Sequence, residues 1–154
     1  MMTADGPKVL EYNCRFGDPE TQAVLPRLES DLLDLLERST RAGGLDGVEL
    51  EWSDDWAVAV VLASAGYPEG SSKGDEITGL EEAEELPGVE VLHAGTASDG
   101  ERVVTDGGRV LAVVGRGGSA GEARSRAYQA ADRIDFQGRQ LRRDIAEAAE
   151  KVEA

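Results

Sequence analysis

Residues 56–64, WAVAVVLAS, constrain the fold of this chain more than any other stretch. The run is apolar at almost every position, which reads as a buried strand and not as one lying at a sheet edge. Partner strands are expected over residues 89–97, 102–105 and 109–115, with Asp106-Gly107-Gly108 as a hairpin turn between the last two. After them, Ser119 and Glu122 stand at capping-box spacing. Ala123, Ala127, Ala130, Ala131 and Ile134 then make a narrow face that lets a helix lie close on a sheet.

The flanks are mostly helix and loop. Helices are expected over residues 18–28 and 30–42, the second with Ser30 as N-cap and Asp31 and Asp34 in its first turn. Leu32, Leu35 and Leu36, with Leu33 beside them, form an apolar stripe that reads as core packing, and Gly43-Gly44 ends that helix. Residues 65–75 form a long Gly- and Ser-rich loop carrying Lys73, which either contacts a ligand or is solvated. A short acidic helix over 79–86 stops at Pro87-Gly88. Residues 135–142 look extended, and Asp144 is placed to cap a charged terminal helix reaching Ala154.

Composition removes several classes of function. A net charge of −15 over 154 residues argues against nucleic acid, whose phosphates demand clustered Lys and Arg. The single cysteine excludes an internal disulfide and fits a reducing compartment. No apolar run approaches the ~18 residues of a membrane span. The first residues lack the basic and apolar segments of a signal peptide, so the expectation is a soluble, cytoplasmic chain. His93 has no Cys, His or Asp at ligand spacing, so neither a zinc site nor a triad is supported.

The chemistry is concentrated near the start, in KVLEYNCRFGDPETQ over residues 8–22. Leu10, Tyr12, Cys14 and Phe16 alternate with Val9, Glu11, Asn13 and Arg15, the pattern of a strand with the first set facing a core. Glu11 and Asn13 then share the other face roughly 6.5–7 Å apart, within reach of one small hard cation such as magnesium. Phe16-Gly17 turns the chain, Asp18 sits where an N-cap belongs and Pro19 takes the first helical position. Such a strand so near the first residue needs neighbours that the local sequence does not supply, which points to a piece of a larger fold. Gly115-Arg116-Gly117-Gly118 before a helix start suggests an anion cradle, or only a bend.

LEYNCRFGDPETQ closely resembles the last segment of the ATP-grasp core in the glycinamide ribonucleotide synthetase (phosphoribosylamine–glycine ligase) family. Tyr67-Pro68, Lys73-Gly74-Asp75, GRVLAVVGRGGSAGEARSRAY and Leu141-Arg142-Arg143-Asp144-Ile145 also match, in the family's order. The resemblance covers nearly the whole chain but only about the C-terminal third of the family. It implies an α/β (α+β) fold: the edge strand and helices of an ATP-grasp domain over residues 1–43, then a small mixed or antiparallel sheet with a packed helix over 44–154.

It also implies an ATP-dependent ligation of glycine to 5-phosphoribosylamine through glycyl phosphate, with ADP and phosphate released. Glu11 and Asn13 would hold Mg2+ or Mn2+. Arg15 would orient a phosphate or carboxylate, or only pair with an acid. Asp18 would be a substrate contact or only a cap, and Glu20 an acceptor for the glycine ammonium. Arg116, Arg142 and Arg143 are candidates for the ribose 5-phosphate, against surface salt bridges as the plain alternative. The isolated chain, lacking the phosphate loop and nucleotide contacts of the remaining portion, is expected to be inactive. Alternatives are another ATP-grasp ligase, against which the Arg-Phe-Gly-Asp-Pro-Glu run argues, and a stand-alone binding module derived from such an enzyme.

Overall fold

The computed structural model describes residues 2–3, 5–12 and 14–153. In chain order the strands are β1 (Met2–Thr3), β2 (Gly6–Pro7), β3 (Trp56–Ala63), β4 (Val89–His93), β5 (Thr96–Asp99), β6 (Arg102–Thr105) and β7 (Arg109–Gly117). The helices are α1 (Glu20–Val24), continued by a 3-10 turn (Leu25–Arg27), then α2 (Leu32–Ser39), α3 (Leu80–Glu84), α4 (Ala120–Ala131) and α5 (Glu147–Glu153). The fold is α+β with antiparallel sheets.

The core forms where β7 runs between β3 and β4, antiparallel to both. Val58, Val60 and Leu62 of β3 and Val110, Leu111 and Val113 of β7 are buried with the inner residues of α4. Ser119 caps α4 as expected, its hydroxyl accepting the Glu122 N–H at 3.1 Å, and the predicted alanine face is wholly buried. Helix and sheet approach so closely that a Cβ on Gly115 would stand 2.5 Å from the Ala127 amide nitrogen. Glycine at 115 and alanines on α4 are one packing solution.

Two expectations about this sheet are corrected. First, β3 is an edge strand. Its continuous apolarity is nevertheless accounted for, because both faces are covered: α4 lies on one, and α1 and the 3-10 turn contact the other, where Ala57, Ala59 and Val61 are half-buried. Apolar content reports the layers above and below a strand, not its lateral neighbours. Second, residues 106–108 are no hairpin turn. β6 pairs with β5, from Thr96↔Thr105 to Asp99↔Arg102, so the expected strand over 89–97 breaks into β4 and β5. The Asp106 N–H donates to the Gly95 carbonyl at 2.7 Å, and a Cβ on Gly95 would stand 2.7 Å from Gly107 Cα. These glycines permit a close crossing of chains instead of a tight reversal.

The N-terminal part departs further from its expected form. Residues 8–12 and 14–16 carry no regular structure, so the strand read from their alternation is not formed. Leu10 is 72% exposed and Tyr12 85%, and Phe16 and Cys14 are exposed too, so none packs in a core. A strand without a partner leaves its N–H and C=O groups unpaired, and alternation alone does not hold it. The first helix begins at Glu20, not Asp18; Pro19 occupies the capping position, with no side-chain cap. α2 is capped by Asp31, whose carboxylate accepts the Asp34 N–H at 3.0 Å, while the Ser30 hydroxyl accepts the Glu51 N–H at 2.8 Å. It stops at Ser39, short of Gly43-Gly44, where the Ser39 and Thr40 hydroxyls donate to the Leu36 and Glu37 carbonyls, both at 2.7 Å. Its leucines are no core stripe: Leu33 is 75% exposed, Leu36 is exposed, and Leu32 and Leu35 are half-buried.

Beyond the core, 135–142 is extended only at isolated bridges, Thr78↔Asp135 and Ala63↔Gln140. α5 begins at Glu147, three residues past Asp144, whose carboxylate is engaged by Arg142. Among the described residues no helix is long and apolar enough to cross a membrane.

Candidate functional site

The half-buried face of β3 opens into a cavity of about 440 Å³. Ala59, Val61, Ala63, Leu141 and Ile145 form its apolar walls, Pro19 lies on one side, and Tyr67, Arg109, Gln140 and Arg142 supply the polar groups. An apolar concavity with a few convergent polar groups is the usual form of a small-molecule site. The bridge between Ala63 and Gln140 brings the 140–146 segment against the open edge of β3. Tyr128 of α4 holds that segment: its hydroxyl donates to the Arg142 carbonyl at 2.7 Å and accepts the Ile145 N–H at 3.1 Å. Arg124 adds bonds to the Ile145 and Arg143 carbonyls at 2.9 and 2.8 Å.

Each cation at the rim arrives with a carboxylate. Arg109 donates from Nε to the Tyr67 hydroxyl at 2.9 Å and from Nη1 to the Asp18 carbonyl at 2.7 Å, with Asp18 Oδ1 at 3.1 Å. The Tyr67 bond first, and then the Asp18 charge, hold its pKa above the ordinary guanidinium value. Arg142 forms a two-pronged pair with Asp144 at 2.9 and 2.6 Å, which raises its own pKa and holds the Asp144 carboxyl below the usual carboxylate range. An anionic ligand reaching Arg142 must therefore displace or share Asp144.

The residues singled out from the sequence are only partly assembled. Asp18 and Arg142 come to one cavity, the first through Arg109. Glu20 is exposed at the start of α1, its carboxylate folded back over Gly17, where a Cβ would collide with it. Arg15 is exposed and donates to the carbonyl of its neighbour Phe16 at 2.8 Å. Arg143 turns to α4, in a two-pronged pair with Asp132 at 2.7 and 3.2 Å and over the Tyr128 ring. Arg116 pairs with Asp55 at 3.1 Å. It stands opposite Ala57, whereas Arg109 stands opposite Ala63, so the two are separated by most of the length of β7, roughly 20 Å. Lys73 pairs with Asp106 at 3.0 Å, and His93 Nδ1 lies 2.9 Å from the Thr96 hydroxyl.

Of the pair read as metal-ligating, the structure describes one member. Glu11 is exposed on a segment without regular structure, and Asn13 lies outside the described residues. Among the described residues no group of three or more His, Cys, Asp or Glu side chains is placed to hold a metal ion. The positions that sequence reasoning missed are Arg109, Tyr67, Tyr128 and Arg124. Tyr67 and Arg109 lie inside matched motifs, but nothing in their spacing signals that a tyrosine and an arginine 42 positions apart form one hydrogen bond.

Comparison with known proteins follows the same outline. Residues 57–148, which include the core sheet except Trp56 and all of α4, match the family model described as phosphoribosylglycinamide synthetase, C domain. The phosphoribosylamine–glycine ligase of Caldanaerobacter subterraneus subsp. tengcongensis is 51% identical over 95% of this chain and 34% of its own length. That of Vibrio cholerae is 51% identical over 90% of this chain and 32% of its own. The crystal structure of phosphoribosylamine–glycine ligase from Thermotoga maritima superposes with a TM-score of 0.67 at 36% identity, covering 94% of this chain and 34% of that one. The chain thus spans about a third of the length of the relatives it matches. It belongs to the phosphoribosylglycinamide synthetase family, whose C domain it carries.

Proposed function

We propose that this chain is the C-terminal portion of a cytoplasmic phosphoribosylamine–glycine ligase of purine biosynthesis, which joins glycine to 5-phosphoribosylamine with cleavage of ATP to ADP and phosphate. The observation that carries this reading is identity of 51% across 95% of the chain to a protein of that name, of which it spans 34%. Residues 1–43 are the end of the ATP-grasp domain and 44–154 the C-terminal domain. Asp18 and Glu20 face the glycine, with Glu20 accepting from its ammonium. Arg15 orients an anionic group, and Arg142 is the best placed of the three candidate arginines for a phosphate, because it lines the cavity. Arg116 and Arg143 take the salt-bridge role instead, each being held by an acid away from the cavity. The Glu11–Asn13 pair, with magnesium or manganese, is completed only by the two-thirds of the ligase that this chain does not span.

A second reading, a non-enzymatic binding module, is favoured by the exposed side chains of Val9, Leu10, Tyr12, Phe16, Trp52 and Trp56. One experiment separates the two. The purified chain is assayed for ADP release with ATP, glycine and phosphoribosylamine, alone and after mixing with a separately produced N-terminal two-thirds of the Vibrio cholerae ligase. The ligase reading expects no turnover alone and turnover after mixing. It fails if that N-terminal part regains activity with its own C-terminal third but not with this chain.

A further inference from the structure

Arg109 is the first residue of β7, fixed in the core sheet, and yet its guanidinium reaches a segment 91 positions earlier in the chain. Two of its nitrogens are committed, Nε to the Tyr67 hydroxyl and Nη1 to both the carbonyl and the carboxylate of Asp18. Tyr67 is itself held by packing: a Cβ on Gly108 would stand 2.7 Å from Tyr67 Cδ2, so the glycine before Arg109 makes room for the ring. The Ser64 N–H donates to the Gly108 carbonyl at 2.9 Å, joining the end of β3 to the same spot. On the far side of the contact, the Gly17 carbonyl accepts the Thr21 N–H at 3.1 Å and starts α1. A planar fork with both prongs engaged fixes direction as well as distance, which a lysine ammonium does not.

We propose that Arg109 is a positioning residue: braced by Tyr67, it holds the Gly17-Asp18-Pro19 turn against the C-terminal domain and thereby sets Asp18 beside the cavity that Pro19 and Arg109 line. The raised pKa of Arg109 agrees with a cation held by these partners. The consequence for catalysis rests on the ligase reading above; the placement of the turn does not. In the ligase, Arg109 then acts on glycine binding through Asp18 and the start of α1 that follows it. Displacement of a binding group by about 1 Å can cost up to about 100-fold, so a loosened turn is felt mainly by the substrate it holds.

The test has two arms. In the 154-residue chain, amide exchange is followed over residues 18–24, with the amides of β7 as a control for folding. Arg109→Gln is expected to speed exchange over 18–24 about tenfold while β7 stays protected. Arg109→Lys should restore part of the protection, and Tyr67→Phe should lose part of it. Unchanged exchange over 18–24 in Arg109→Gln overturns the proposal; if β7 also loses protection in that variant, Tyr67→Phe decides by the same criterion. In the mixed ligase, Arg109→Gln should raise the KM for glycine about tenfold and leave that for ATP within about twofold. A glycine KM that does not move, or that moves together with the ATP KM, overturns the catalytic part. Should the N-terminal part be active with its own C-terminal third but not with the unaltered chain, the ligase reading fails and the exchange arm alone judges the positioning.

Discussion

Residues 8–16 and β3 are both stretches of closely spaced apolar residues, and they end in opposite conditions. In β3, Val60 and Leu62 are wholly buried between α4 and the sheet. In the N-terminal stretch, Val9, Leu10, Tyr12 and Phe16 are all more than half exposed. The difference lies in partners, not in propensity. β3 has a hydrogen-bonded neighbour along its whole length in β7, and a layer on each face. The described residues of 8–16 are in no ladder, and the pairing just before them is the two-residue ladder Met2↔Pro7 and Thr3↔Gly6. A strand is a property of a sheet, and the same alternation has no structural force without one.

The sharpest way to break this comparison is the same substitution in both regions. Leu62→Ala removes a fully buried side chain and should cost about 2–5 kcal/mol, from lost transfer free energy and the cavity left behind. Leu10→Ala, at 72% exposure, should stay within about 0.5 kcal/mol. Denaturant midpoints at constant m-value measure both. Equal losses at the two positions would mean that residues 8–16 share the core after all.

The parts legible in the sequence are those whose signals are local or whose partners lie within this chain. The Ser119 cap and the alanine face of α4 were readable because a helix carries its own hydrogen bonds and shows its buried face in its spacing. The existence of β3 and β7 was readable from their apolar runs, but not their order, since apolarity records covering layers only. The 95–108 region was misread because Gly-Gly serves a tight turn and a close crossing equally well, and only the register of β5 on β6 separates the two. At the cavity, Arg142 was legible as a candidate residue but the constellation around it was not. Asp18 was visible as an acid near a helix start. That its partner is Arg109 is a fact of tertiary structure, which no spacing within either motif contains.

A smaller effect probes the compact region at its own rim. The Asp144 carboxyl is depressed by the Arg142 hydrogen bond foremost, so its contribution is complete above the ordinary carboxylate range and is lost as pH falls through the depressed value. The raised Arg142 mirrors this at the alkaline end, losing its contribution only above the ordinary guanidinium value. Protection of the Ile145 amide, which donates to Tyr128, should therefore be flat across neutral pH and fall only in acid. In Asp144→Asn that acid step should be diminished. A step near neutrality would assign the fixation of this segment to some other group. Because both partners lie at the surface, global stability should move much less than the local protection does.

The smallest expected effect comes from removing residues 1–16 outright. Gly17 is kept because its carbonyl accepts the Thr21 N–H and begins α1, and Asp18 is kept because it carries the tie to Arg109. The described part of the deleted segment contributes local bonds such as Thr3 Oγ1 to the Gly6 carbonyl and Arg15 to the Phe16 carbonyl. Bonds of this kind, made within a few residues and open to water, are replaced by water at little cost. The midpoint of unfolding should therefore stay within about 0.5 kcal/mol of the full chain. Solubility should rise, because the cut removes exposed apolar side chains at Val9, Leu10, Tyr12 and Phe16. A loss well beyond that margin would show that the N-terminal stretch is fastened to the sheet, and the contrast between the two regions would fall. An unchanged midpoint together with lost activity in the mixed ligase would sharpen it: residues 1–16 would then serve the larger enzyme's site while adding nothing to the stability of the fold that carries them.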